Sequence, residues 1–133
     1  MTKNIKQWVI LFCSPEEAYS AWMDSEKHGK MIGGDAKIDP KAGGLFSIWD
    51  GEIAGKTIEL DPEKHRIVQE WRYNHPDWSE NEPSKITIEF VPNKKGCKLN
   101  FSQSKIPEKY AEDIAQGWKD YYWKPMQEYF ERK

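Results

Sequence analysis

Two carboxylates, Asp50 and Glu52, flank Gly51. Paired acids are what glycoside hydrolysis requires, one as proton donor and one as base or nucleophile. Asp50-Gly51 is also a strong β-hairpin signature, because the turn needs positive φ, and nothing around it demands a cleft or a raised pKa. His28, His65 and His75 lack the i, i+4 spacing with which one helix face holds a metal, and each reads as a surface or turn histidine. Glu70 and Arg72 share one strand face with Trp71 on the other. With Trp71 inside, they form an exposed pair worth about 0–1 kcal/mol; a buried Arg72 anchoring a ligand is the alternative. Glu59 and Glu89 read as solvent-facing strand positions. No serine sits in a nucleophile elbow, and no glycine-rich loop has the spacing that cradles phosphate. Cys13 and Cys97 have neither paired spacing nor flanking ligands. The residues thus supply no catalytic group, no metal site and no cofactor site, and the chain reads as a non-enzyme.

The chain of 133 residues is expected to form a single domain, 1–133. Twenty Lys and Arg against 22 Asp and Glu leave a net charge of -2. That balance removes the electrostatic pull on which nucleic-acid binders rely. The longest apolar run, Trp8 to Cys13, is far short of the roughly 18–20 residues a membrane span needs. Nothing at the N-terminus reads as a secretory signal, and the sparse cysteines fit a reducing, cytoplasmic setting. A mean hydropathy of -0.90 understates the core. Seven Trp, six Tyr and five Phe carry it, and each such ring can bury about 150–250 Å².

Residues 5–12 read as a strand. Ser14-Pro15-Glu16-Glu17 then spells a helix start, with Ser14 as N-cap, Pro15 at the first helical position and Glu17 closing the box. A second start at Asp24 predicts two short helices in series over about 15–32. A short segment at 36–38 could be a strand, followed by period-two stretches at 45–49, 52–60, 65–72, 85–91 and 98–103. Residues 74–83 read as a loop. From Pro107 the period becomes 3.6, with Tyr110, Ile114, Trp118, Tyr121/Tyr122, Pro125/Met126 and Tyr129/Phe130 on one stripe. Pro125 crowds the Tyr121 carbonyl, so a kink is expected there.

An antiparallel sheet with one apolar face must cover that face, and the C-terminal helix is the element long enough to do it. A twisted sheet of this size curls. Large rings on both walls and few small residues to interdigitate favour a cavity between sheet and helix. The expected lining is Trp22, Phe46, Ile48, Gln69, Trp71, Ile88, Phe101, Trp118, Tyr122 and Met126, with Met31 as an adaptable neighbour; simple mutual packing of the same rings is the alternative. Access is expected where the short helices and loops meet the tip of the long helix, gated near Pro125. Exposed sheet edges leave monomer and dimer both open.

The ordered string Gly43-Gly44-Leu45-Phe46-Ser47-Ile48-Trp49-Asp50-Gly51-Glu52-Ile53-Ala54-Gly55, then Ile67 to Arg72, Trp78, Pro83-Ser84, Gln103, Ile106-Pro107 and Gly117-Trp118 with Tyr121-Tyr122, resembles the activator of heat shock protein 90 ATPase homologues. It looks like a stand-alone version of the eukaryotic activator's C-terminal domain, over about residues 8–131. The resemblance implies an α+β, START-like helix-grip fold: a curved antiparallel sheet of six to seven strands around a long C-terminal helix, with two short helices after the first strand. For function it implies non-enzymatic binding of a hydrophobic or amphipathic small molecule. The alternative is a co-chaperone-like contact with heat shock protein 90. A small cyclase or hydrolase is a third, lesser reading.

Overall fold

The computed structural model describes residues 2–73 and 83–131. Trp78, His75 and all but Pro83 of the loop expected over 74–83 therefore lie outside the described residues. The first strand, β1, runs Thr2–Leu11, three residues earlier than the apolar run suggests. Helix α1 (Pro15–Met23) starts as its sequence prescribes: the Ser14 hydroxyl accepts the Glu17 N–H at 3.1 Å. Helix α2 (Ser25–Ile32) follows at once, capped by Asp24 on the Lys27 N–H at 2.9 Å and ended by Gly33 at φ 67.

Six strands then follow: β2 (Ala36–Ile38), β3 (Leu45–Ile48), β4 (Ile53–Asp61), β5 (Arg66–Tyr73), β6 (Ser84–Asn93) and β7 (Gly96–Pro107). All pair antiparallel in the order β1-β7-β6-β5-β4-β3-β2, so the first strand closes beside the last. Alternation directs Ile67, Gln69 and Trp71, then Ile86, Ile88 and Phe90, then Leu99, Phe101 and Gln103 to one buried face. Glu70 and Arg72 face outward, Glu70 half-buried and Arg72 exposed, as the period-two reading requires.

The C-terminal helix grips that face, which is the expected helix-grip arrangement. It enters through a 3₁₀ turn (Glu108–Tyr110) and continues as α3 (Ala111–Trp118). It then widens into a π turn over Lys119–Trp123 and ends as α4 (Lys124–Glu131). The π turn stands where a kink was expected. Pro125 has no N–H for the Tyr121 carbonyl, and the ladder shifts by one residue, with the Lys124 N–H bonded to the Lys119 oxygen. The extra residue changes which side chains face inward. Tyr122 and Trp123 are both buried, whereas Tyr121 of the expected stripe is 62% exposed.

Where β4 passes between β3 and β5, Gly55 lies opposite both Phe46 and Trp71. A Cβ there would collide with the Glu70 carbonyl oxygen and stand 2.8 Å from the Phe46 ring. Gly55→Ala is expected to cost about 2 kcal/mol in urea unfolding, as overpacking against backbone does. A loss below about 0.5 kcal/mol would show that the sheet yields at this point.

Candidate binding cleft

The space between helix and sheet is filled mainly by rings. Trp118 is central: its ring centroid is 4.4 Å from Phe101, 4.8 Å from Tyr122, 5.2 Å from Trp71 and 5.2 Å, stacked, from Trp123. Trp22 of α1 extends the cluster, 5.2 Å from Tyr122 and 6.4 Å from Trp71, and Phe46 packs 5.3 Å from Trp71.

Glutamines on the strands satisfy three of the buried indoles. Trp22 Nε1 donates to Gln69 Oε1 (3.2 Å), Trp118 Nε1 to Gln103 Oε1 (2.8 Å) and Trp123 Nε1 to Gln7 Oε1 (2.6 Å). The amide ends are used as well. Gln69 Nε2 donates to Thr57 Oγ1 (3.1 Å), and Gln103 Nε2 donates to Ser84 Oγ (2.9 Å), whose hydroxyl donates to the Trp71 carbonyl (2.6 Å). Gln69 is therefore committed to internal partners.

Beside the cluster a cleft of about 700 Å³ opens to the surface. The end of α2 contributes Ile32 and Gly33, and the β3–β4 turn contributes Trp49, Glu52 and Ile53. Strand β5 gives Trp71 and Tyr73, and the first half of the C-terminal helix completes the wall from Tyr110 to Tyr122. Of the ten residues expected to line a cavity, Trp71, Trp118 and Tyr122 do line this one. Trp22, Phe46, Ile48, Gln69, Ile88, Phe101 and Met126 are buried in the packed interior beside it. Pro125 and Met31 border a separate, smaller hollow between α2 and α4.

Trp49 is the wall residue that the strand pattern hides. It leaves β3 at φ 52, and Asp50 and Gly51 also have positive φ. A bulky residue in the left-handed region is strained. The conformation carries the indole onto Gly34, where any Cβ would meet the ring, and 5.8 Å from Tyr122.

His28 is a correction to the surface reading. It is 1% exposed, with Nδ1 2.8 Å from the Trp22 carbonyl and Nε2 2.8 Å from the Tyr122 hydroxyl. A carbonyl can only accept, so Nδ1 carries the proton and Nε2 accepts the Tyr122 O–H. Burial lowers the His28 pKa to about 4 against the opposing carbonyl contact, which keeps the ring neutral at pH 7. Burial also pushes Tyr73 up to about 12, although Gln103 and Trp71 favour its ionised form. Tyr122 is raised well above the usual phenol range, first by burial and then by Tyr73. At neutral pH these are neutral hydroxyls, fit for hydrogen bonding and poor as bases. Among the described residues no three His, Cys, Asp or Glu side chains gather where a metal could sit.

The family model described as "Activator of Hsp90 ATPase homolog 1-like protein" matches residues 13–131. The chain belongs to that family. A human relative named "Activator of 90 kDa heat shock protein ATPase homolog 1" is 32% identical over 117 residues, which are 88% of this chain and 34% of that protein. The chain thus spans about a third of the length of the curated relatives it matches. Among solved structures, the Plasmodium falciparum protein PFC0360w, described as an HSP90 activator, is 29% identical with a TM-score of 0.74, covering 92% of this chain and 90% of that one. The structure described as Ara h 8.0201 covers 100% of both chains at a TM-score of 0.78 and 12% identity, a likeness of fold alone. The chain thus has a START-like fold, a curved seven-stranded antiparallel sheet around a C-terminal helix. No helix of the described residues is long and apolar enough to cross a membrane.

His28 makes the fold of this family member pH-sensitive in one direction. The unfolded histidine takes a proton near pH 6.5 that the folded one refuses until about pH 4. Stability is therefore full above about pH 6.5 and falls as pH drops towards 4, by up to about 3 kcal/mol, with no further loss from this group below that. Urea unfolding across that window should show the slope in the wild type and lose it in His28→Gln, whose amide can still donate to the Trp22 carbonyl. Parallel slopes would contradict a buried neutral ring.

Proposed function

We propose that this chain is a non-enzymatic, co-chaperone-like module that contacts an Hsp90-type chaperone and modulates its ATPase. The observation that carries this reading is the family match over 13–131, together with relatives named as activators of that ATPase. The interior supports it. Most polar groups among the rings bond one another, and the titratable hydroxyls and imidazole are held neutral. Such an interior suits a rigid body that acts through its outside. The same reading sets the chain in the cytoplasm with its two cysteines reduced.

A second reading, binding of an apolar or amphipathic small molecule, is favoured by the open cleft walled with Trp49, Trp71, Tyr73, Trp118 and Tyr122. The two readings use different parts of the molecule and are not exclusive.

The first is checked by steady-state ATP hydrolysis of a purified Hsp90-type chaperone titrated with the chain. A saturable change in rate at micromolar protein is expected, with co-sedimentation of the two. A complex without a change in rate would keep the contact and remove the regulatory role. A flat rate with no complex would overturn both.

A further inference from the structure

We propose that the cleft takes an amphipathic organic cation: an ammonium group at the rim, joined through a hydrogen-bond acceptor to an apolar body. This rests on the second reading above, that the cleft is a small-molecule site. The rim, the rim's rings and the inner wall each select one part of such a guest.

At the rim, Glu52 projects from the β3–β4 turn and Asp113 from the first turn of α3, both exposed. Among the described residues, the lining includes these two acids and no Lys, Arg or His. Two carboxylates over low-dielectric walls draw guests of the opposite sign. The same lining supplies aromatic faces. Trp49 and Tyr121 are 6.1 Å apart at 77°, so a group held in the angle meets one ring's face and the other's edge. An ammonium is drawn to the electron-rich face of such rings. Tyr110, on the same rim, already shows the preference, with Lys109 Nζ 5.2 Å from its ring centre.

On the inner wall the demand is opposite. Trp71 is 1% exposed, and its Nε1–H has no acceptor within hydrogen-bond geometry, although it lies close enough to the Tyr73 hydroxyl to favour that group's ionised form. Trp22, Trp118 and Trp123 have each found a glutamine oxygen. Trp71 is the buried indole that lines the cleft without a glutamine acceptor, on the same strand face as the cleft-lining Tyr73. A buried donor left unpaired is costly, and a carbonyl or ether oxygen on a guest would relieve it. A wholly apolar guest leaves the N–H unpaired, and an anion meets two carboxylates on the way in.

Benzoylcholine and 3,3-dimethylbutyl benzoate separate these requirements, because the second has the same shape with carbon in place of the ammonium nitrogen. Both are titrated into the full chain by calorimetry, with the assigned Trp71 indole N–H followed by NMR. Benzoylcholine is expected to bind roughly tenfold more tightly and to shift the Trp71 indole resonance. Glu52→Gln combined with Asp113→Asn, both at exposed positions, is expected to bring the two esters to similar affinity. Equal binding of both esters to the wild type would overturn the cation and leave the cleft a small-molecule site. A cation preference that survives the double variant, or that leaves the Trp71 resonance unmoved, would overturn the assigned pose. Binding of neither ester would remove the small-molecule reading and the inference together.

Discussion

Burying a tryptophan flat against a sheet is costly unless its indole N–H finds an acceptor, and much of this fold is arranged around that cost. Trp118 and Trp123 hang from the C-terminal helix and Trp22 from α1, and each meets a glutamine on a strand: Gln103 on β7, Gln7 on β1 and Gln69 on β5. Each bond contributes only about 1 kcal/mol net, but leaving one donor unmet costs about 1–3 kcal/mol. The pairs therefore fix position more than they add stability. Gln7 also donates to the Ala115 carbonyl at 2.9 Å, and Gln127 to the Ile10 carbonyl at 3.1 Å, so the helix is tied along its length to the edge strand β1.

This arrangement explains why the interior is full on one side and open on the other. Where ring meets ring and amide meets indole, as around Trp118, Phe101 and Trp123, no room is left. Towards the β3–β4 turn the helix presents Gly117 and α2 ends in Gly33, and two missing side chains leave a gap that the surrounding rings border without filling. The strained Trp49 closes part of it from the turn. Trp71 stands at the boundary between the two regions. Its carbonyl belongs to the saturated network through Ser84, while its indole N–H faces a shortage of partners.

Much of the architecture was legible in the sequence because it follows from periodicity and caps. The Ser14 box, the Asp24 cap and the period-two faces of β5, β6 and β7 each state one local structure, and the family resemblance fixed their order. The details of the interior were not legible, for identifiable reasons. Alternation tells that Ile88 or Phe101 points inward but not whether a void or another ring lies opposite. A uniform 3.6 period omits Trp123 and includes Tyr121, since one π turn ahead of Pro125 advances the face by a residue. His28 sits in a polar-looking stretch, Ser25-Glu26-Lys27-His28, and nothing there announces that Tyr122, 94 residues on, supplies its partner. Trp49 was hidden by the hairpin signal beside it, which predicts a turn but not that the turn begins with an aromatic in the left-handed region. Tyr73 was within reach: it lies two residues beyond Trp71 on the same strand face.

The central claim is that glutamine-bonded indoles pack the interior and leave one cleft beside them. Hydrogen exchange of the tryptophan indole N–H groups, followed by NMR at neutral pH, tests it most directly. Slow exchange is expected for Trp22, Trp118 and Trp123, held by Gln69, Gln103 and Gln7, with loss within the dead time for Trp8, which is 62% exposed. Exchange of Trp22 and Trp118 as fast as that of Trp8 would mean a loose, solvent-filled interior, and the packed arrangement described above would be wrong.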